Sequence, residues 1–255
     1  MTELLITVPV YNEAKRIKEN TIEIINFFDR KDVDYTIALA VDPSEDNSVE
    51  LCRELERTNP KVVTLVSKSR KGRGVAVRNS WRTFDADVYS FIDADLSPGL
   101  VSLYEGFRLI KEENEEFVIG SRYSDGSMTE RPPLRKTVSF AYNKVIQILF
   151  QNEIKDYQCG LKIVSKLARD EVIEKSKVNS WFWDTEIVII ALMNGVHVYQ
   201  LPVQWKELKY RHTSIKRLFK DIILHGWGLI LLYKRAVNSD TVSQINSNDD
   251  IYDSR

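Results

Sequence analysis

Short apolar runs alternate with amphipathic stretches through the first 120 positions of the chain. Leu4–Val8, Tyr35–Val41, Val62–Val66, Val88–Ile92 and Phe117–Gly120 are almost wholly apolar and are bounded by Pro, Asp or Gly. Runs of that kind suit strands buried on both faces of a sheet. Between them, Ala14–Phe28 carries Ile17, Ile22, Ile24, Ile25 and Phe28 at helical spacing, and Asp46–Arg57, Gly74–Phe84 and Gly99–Lys111 also read as helices. Asp46 or Asn47 is the expected N-cap of the second of these. The rhythm predicts an α/β fold with a mostly parallel, Rossmann-like sheet and helices on both faces.

The pattern changes after residue 120. Ser121–Pro133 is polar and reads as a loop; Leu134–Phe150 is a helix apolar nearly all round, which predicts either full burial or partial contact with lipid. Asp156–Val164 reads as a turn plus strand, Asp184–Met193 as a helix and Val196–Trp205 as a strand. Ser214–Ala236 is a long amphipathic helix. It sets Ile215, Leu218, Phe219, Ile222 and Ile223 on one face, flanked by Lys216, Arg217 and Lys220. Such a C-terminal helix suits either a core-packing role or a bilayer surface. Residues 237–255 are Asn-, Ser- and Asp-rich and predict a disordered tail. The expected organisation is one domain over 1–236, with halves at 1–120 and 121–236.

Composition narrows the classes. The chain has 255 residues, 43% hydrophobic and 29% charged, with net charge −1. No global field attracts nucleic acid, so a basic site must be local. Cys52 and Cys159 make neither a disulfide framework nor metal-ligand spacing. The start of the chain lacks a signal-peptide layout, and no apolar run reaches the roughly 18 residues of a membrane span. The expectation is a cytoplasmic protein whose lipid contact is peripheral.

The chemistry clusters where strands should end. Asp93-Ala94-Asp95 follows Val88–Ile92 directly. Two carboxylates one residue apart, at the carboxyl end of an inner strand, form a hard oxygen site suited to Mg²⁺ or Mn²⁺ on a diphosphate. Val8-Pro9-Val10-Tyr11-Asn12-Glu13 puts an aromatic, an amide and an acid after the first strand, where a base can stack; the plain alternative is a turn. Asp42 follows the second strand in the same way. Lys68-Ser69-Arg70-Lys71-Gly72-Arg73-Gly74 is a basic, glycine-bearing loop leading into a helix. It is no Walker loop, but it suits a phosphate or a solvated charge run. Arg122, Arg131 and Arg135 together ask for an anion. Asp156, Asp184 and Glu186 are further acid candidates, although Asp184 can serve as a helix cap and Glu186 as a solvated charge.

In order, VPVYNE (8–13), VDPSEDNS (41–48), the basic loop (68–74), DADLSP (93–98), GSRY (120–123), DYQCG (156–160) and WDTE (183–186) resemble the family 2 inverting glycosyltransferases of GT-A fold. A Pro202–Lys216 segment extends the likeness, which is closest to the dolichyl-phosphate mannose and glucose synthase branch and spans about residues 3–236. The resemblance implies a nucleotide-sugar pocket of Pro9, Tyr11, Asn12, Glu13, Asp42, Lys71, Asp93 and Lys216. It implies a Mg²⁺ or Mn²⁺ ion on Asp93 and Asp95, and an acceptor phosphate held by Arg122, Arg131, Arg135 and Ser214. Asp95, Asp156, Arg122 and Arg135 would carry the chemistry. The implied partners are a nucleotide-diphosphate hexose, a polyprenyl or dolichyl phosphate and a membrane surface. The chain departs from the family pattern in two places: Val41 stands before Asp42 where two acids are usual, and the closing loop reads Arg211-His212-Thr213-Ser214-Ile215-Lys216. A hydroxyl acceptor, which would need Asp156 or Asp184 as a base, and a non-catalytic binding protein are the alternatives.

Overall fold

The computed structural model describes residues 2–130, 132–206 and 215–238, with the backbone alone for 206, 215–224, 237 and 238. The alternating first part folds as β1 (Thr2–Val10), α1 (Ile17–Phe28), β2 (Tyr35–Val41), α2 (Ser48–Thr58), β3 (Val62–Val66), α3 (Arg73–Thr83), β4 (Ala86–Ile92), α4 (Leu100–Glu112) and β5 (Phe117–Ser121). The second part adds β6 (Met128–Glu130), α5 (Pro133–Phe150), β7 (Leu161–Ser165), α6 (Lys166–Lys175), α7 (Trp183–Met193), β8 (Val198–Pro202), β9 (Gln204–Lys206) and α8 (Ile215–Asn238).

One sheet has the order β3-β2-β1-β4-β7-β5-β8, and β6 and β9 form a separate short ribbon. β1 pairs in parallel with β2 and β4, β2 with β3, and β5 with β8. β7 alone runs against the rest, antiparallel to β4 and β5. The carboxyl ends of β1, β2, β3, β4 and β5 therefore share one edge, and the amino end of β7 joins them there. In open α/β sheets this is the edge that binds ligands.

Alternation along the strands divides the core. Ile6, Leu39, Ile92 and Ile163 face α1, α2 and α4, whereas Leu5, Phe91, Phe117 and Val164 face α3, α6 and α7. Each such side chain, once fully buried, stabilises the fold by about 1.5–3 kcal/mol. α7 is buried continuously from Trp183 to Ala191. Gly74 permits that, because a Cβ there would lie 2.6 Å from Trp183 Cβ.

Several expectations change. β1 does not stop at Pro9 but runs to Val10, with Pro9 opposite Ala40. The β1–β4 ladder ends earlier, at Thr7–Phe91, so Pro9 sits where the strand is flanked by β2 only. α6 was not expected; Ser165 caps it by accepting from the Ala168 N–H. The Val196–Trp205 run divides into β8 and β9, and the expected 121–133 loop contains β6. α5 is not fully buried: only Asn143, Ile146 and Phe150 are covered, and Leu134, Phe140, Val145 and Ile148 face outward. Among the described residues no helix is long and apolar enough to cross a membrane. Residues 239–255, most of the expected tail, lie outside the described residues.

Candidate active site

The loops after β1 and β2 are stitched to each other by polar side chains. The Asn12 N–H donates to Ser44 Oγ at 3.1 Å, and Asn12 Oδ1 accepts from the Glu45 N–H at 2.8 Å. The Glu13 and Ala14 N–H groups donate to Ser48 Oγ and Asp46 Oδ2. Asn12 holds φ 55°, a conformation that Asn tolerates better than most residues. The amide read as a ligand group thus has its Oδ1 engaged by the partner loop. Asp46 is not the N-cap residue of α2; Asn47 occupies that place, while Asp46 Oδ1 accepts from the Ser48 N–H.

The β3–α3 loop folds down onto these two. Buried Asp42 accepts from the Gly72 N–H at 2.8 Å and the Lys71 N–H at 3.3 Å. Its carboxylate is therefore spent on shaping the basic loop. The Lys71 side chain is exposed, and Arg70 stacks 3.9 Å above the Tyr11 ring while donating to its hydroxyl. Gly72 needs no side chain for two reasons: its φ is +90°, and a Cβ would meet Asn179 O at 2.7 Å.

Asp93-Ala94-Asp95 occupies the β4 edge as a tight turn. The Leu96 N–H donates to Asp93 O, the Ser97 N–H to Asp95 Oδ1, and Asn20 Nδ2 of α1 donates to Ala94 O at 2.6 Å. Leu96 adopts φ 51°, an unusual conformation for a bulky residue, and such strain clusters at functional sites. On the β7 side the Asp93 N–H donates to Gly160 O. A Cβ on Gly160 would lie 2.0 Å from Asp93 Oδ2, so only glycine lets the two loops touch. On the α3 side Arg73 Nη1 donates to Asp93 Oδ1 at 2.7 Å, and Arg73 Nη2 pairs with Asp184.

A second buried ion pair floors the neighbouring half. Fully buried Asp156 accepts from Arg122 Nε and Nη2 at 2.7 Å each and from the Arg122 N–H. The Arg122 guanidinium also lies 4.8 Å from the Trp205 ring centroid. Burial pushes the Asp156 carboxyl upward, but the Arg122 charge and hydrogen bonds outweigh it and hold Asp156 below the usual carboxylate range. Burial likewise opposes the Arg122 charge, and Asp156 reverses this to raise Arg122. Lys162, opposite Phe91 and Ile119 in the sheet, is fully buried and donates to Cys159 O at 2.6 Å. Burial pulls its ammonium down to about 8. It pushes both the Cys52 and Cys159 thiols up to about 12, which leaves no activated thiol nucleophile among them.

The edge thus brings together Tyr11, Glu13, Asp42, Lys71, Asp93, Asp95, Arg122 and Asp156. Pro9 lies just inside it, within β1. Glu13 pairs with Arg16 at 3.1 Å. Arg135 stands in the first turn of α5, half-buried. Arg131 and Ser214 lie outside the described residues, and Lys216 belongs to α8 with its side chain outside them. Asp184 and Glu186 prove fully buried, which overturns the plain helix-cap and solvated readings. Glu186 accepts from Ser176 Oγ, the Lys177 and Val178 N–H groups and Arg235. Sequence reasoning missed Lys162 and Asn20, and read Arg73 only as part of a phosphate-binding or solvated loop, not as the partner of Asp93 and Asp184. The signal for Arg73 was present as a cation between two glycines at a helix start; Lys162 carried none, because its strand reads as ordinary.

The donor set fits a hard divalent cation bound only in part by protein. Asp95 is partly exposed at the mouth and Asp93 stands beside it. Among the described residues no group of three or more His, Cys, Asp or Glu could hold a metal. An ion held there would draw its other ligands from diphosphate and water, which is how Mg²⁺-type sites with one or two carboxylates are built.

Comparison with known proteins agrees with this architecture. Structures similar to the chain include mannosyl-3-phosphoglycerate synthase from Rubrobacter xylanophilus, with TM-score 0.71 and 15% identity over 94% of this chain and 75% of that one. They also include glucosyl-3-phosphoglycerate synthase from Mycobacterium tuberculosis in complex with Mn²⁺, UDP and glucosyl-3-phosphoglycerate, with TM-score 0.65 and 14% identity over 86% of this chain and 75% of that one. The fold is GT-A. Among curated relatives, glycosyltransferase AglD of Haloferax volcanii is 28% identical over 94% of this chain, which spans 39% of the AglD length. Dolichyl-phosphate beta-glucosyltransferase ALG5A of Trichomonas vaginalis is 28% identical over 85% of this chain and 70% of its own. The corresponding Saccharomyces cerevisiae enzyme is 24% identical over 87% of this chain and 73% of its own. The family model for glycosyl transferase family 2 matches residues 5–173, and the chain belongs to that family.

Proposed function

We propose that the chain transfers glucose, with inversion, from UDP-glucose to a dolichyl-type polyprenyl phosphate. The observation that carries this reading is the state of the two acids a hydroxyl acceptor would need. Asp156 and Asp184 are fully buried, and each is paired with an arginine. An acid held below the usual carboxylate range is a poor general base. A phosphate acceptor is already anionic near neutral pH and needs none. The names of the dolichyl-phosphate beta-glucosyltransferase relatives support the glucosyl donor over a mannosyl one.

In this reading Tyr11 and the stitched 8–13 and 41–48 loops take the nucleoside, and the base takes the place that Arg70 holds on the Tyr11 ring. Asp95, with Asp93 second, holds Mg²⁺ or Mn²⁺, which supplies charge neutralisation for the leaving diphosphate. The acceptor phosphate oxygen forms its bond to the anomeric carbon as the bond from that carbon to the UDP oxygen breaks, and UDP departs with the electron pair. Arg122 already spends its fork on Asp156, so positioning of the acceptor falls to Arg135, with Arg131, Ser214 and Lys216 as the sequence-derived partners. The outward apolar residues of α5 and of α8, Trp227, Ile230 and Leu231, rest on the bilayer that carries the lipid.

The test is donor choice with a single acceptor. In detergent with Mn²⁺ and dolichyl phosphate, UDP-glucose yields an organic-extractable, acid-labile glucolipid, and GDP-mannose does not. Turnover with GDP-mannose alone would overturn the donor assignment; no transfer to dolichyl phosphate from either donor, with transfer to a glycan hydroxyl in a parallel assay, would overturn the acceptor.

A further inference from the structure

Arg73 is buried, yet it begins a helix at the rim of the acid pair and touches two acids from different elements. Its Nη1 donates to Asp93 Oδ1 at 2.7 Å, and its Nη2 pairs with Asp184 of α7, which is fully buried. Arg73 is the only ion-pair partner of Asp184 among the described residues, and no other hydrogen-bond partner of its carboxylate stands beside it there. The indole of Trp181 roofs the guanidinium, 3.9 Å from centroid to Cζ, and the Phe91 ring flanks it at 5.5 Å. The neighbouring glycines make the placement sterically feasible: a Cβ on Gly74 would strike Trp183, and one on Gly72 would strike Asn179 O. A buried charge this confined must be paired, because an unpaired one is strongly destabilising.

We infer that Arg73 is a positioning residue for the cation-binding acid pair: its fork, anchored on Asp184, fixes Asp93 and thereby the turn that presents Asp95. One Asp93 oxygen is committed to Arg73 and the other lies against Gly160. The carboxylate is therefore held in one orientation with its side chain still 15% exposed at the edge, and the following turn inherits its direction. Outer partners that orient metal-binding carboxylates work in this way. The inference rests on the proposed divalent-cation role of Asp93 and Asp95, and it goes beyond that role by naming what holds them. A lysine could supply the charge, but its single ammonium lacks the planar fork that spans two acids.

Two opposed effects separate positioning from mere charge. Removing a cation beside a metal site strengthens metal binding on Coulomb grounds; removing a positioning group weakens it. The test is Mn²⁺ binding to the full chain, read from the loss of the free-ion EPR signal, with and without UDP. We expect Arg73→Gln to raise the Mn²⁺ Kd by about tenfold despite the lost positive charge, within the range seen for outer-shell substitutions. Arg73→Lys is expected to keep the charge and recover only part of that loss. Because Arg73→Gln leaves Asp184 buried and unpaired, the double variant Arg73→Gln with Asp184→Asn serves as the neutral control, checked by near-UV circular dichroism. It too should bind Mn²⁺ about tenfold more weakly. Unchanged or tighter Mn²⁺ binding in a folded Arg73→Gln or double variant overturns the inference. Absence of Mn²⁺ binding by the unmodified chain would instead overturn the proposed cation role.

Discussion

At the residue scale, burial and pairing decide what each acid can do. Asp156 and Arg122 form a bidentate pair, with side chains 0% and 5% exposed. Asp156→Asn would leave Arg122 buried with its charge uncompensated. We expect it to cost about 3–5 kcal/mol in urea denaturation at pH 7, the range for breaking a buried pair. The Asp156 carboxyl titrates below its unfolded value, so this contribution is full above about pH 4 and is lost as pH falls through the folded value. The gap between parent and variant should narrow as pH falls below about 4; a gap that stays constant or widens on acidification would contradict the assignment. Lys162 has the opposite sign. Its ammonium sits at about 8 because burial disfavours the charged form. Between about pH 8 and its unfolded value near 10.4, the unfolded chain binds more protons, and stability rises with pH. Relative to Lys162→Met, the parent should therefore gain stability across that window, seen as diverging melting temperatures; parallel curves would refute it. These residue-level facts were the least legible in the sequence. Asp156 sits in a turn-like DYQCG, and nothing in spacing says that a guanidinium will close on it. Lys162 lies in a strand like any other.

At the element scale, the site exists because β7 runs backwards. Its amino end, opposite Ile92, brings Asp156–Gly160 to the edge where four parallel strands deliver Tyr11, Asp42, the basic loop and Asp93. Gly160→Ala probes that junction, since its Cβ would occupy the space of the Asp93 carboxylate. Overpacking of this kind costs about 1–3 kcal/mol in stability. We expect Mn²⁺ affinity to fall with it, by about tenfold as for other groups that orient metal-binding carboxylates; a stable Gly160→Ala protein with parent-like Mn²⁺ affinity would show that the contact does not orient Asp93. The parallel half was readable because fully apolar runs between Pro, Gly and Asp have few alternatives. β2 and β3 match their expected bounds, and β4 and β5 differ only at an end. The second half was less so. α6 buries only Ala168, Val172 and Ile173 and carries a weak apolar stripe, and the direction of β7 depends on pairing that no local pattern encodes.

At the scale of the molecule, the carboxyl edge of the sheet and an exposed apolar surface belong to one sheet and its covering helices. α5 and α8 pack together, with Phe150 and Tyr233 edge-to-face at 5.9 Å, and still leave Ile148 75% and Trp227 64% exposed. The sequence allowed α5 to be fully buried or partly in lipid, and the structure removes the first. Liposome flotation should recover the parent chain. The double variant Ile148→Glu with Trp227→Glu should stay at the bottom of the gradient while still glucosylating a short, water-soluble prenyl phosphate. Flotation unaffected by that variant would move the membrane contact elsewhere. The central claim remains that a phosphate, activated by no protein base, receives the sugar. It is tested most directly by the pH dependence of kcat/KM for UDP-glucose transfer to dolichyl phosphate. The account predicts a flat profile from about pH 7 to 8.5, with a fall only below about 6, where the acceptor phosphate protonates. A profile governed by an enzyme group that must lose a proton above pH 7, abolished by Asp156→Asn in a folded protein, would contradict it.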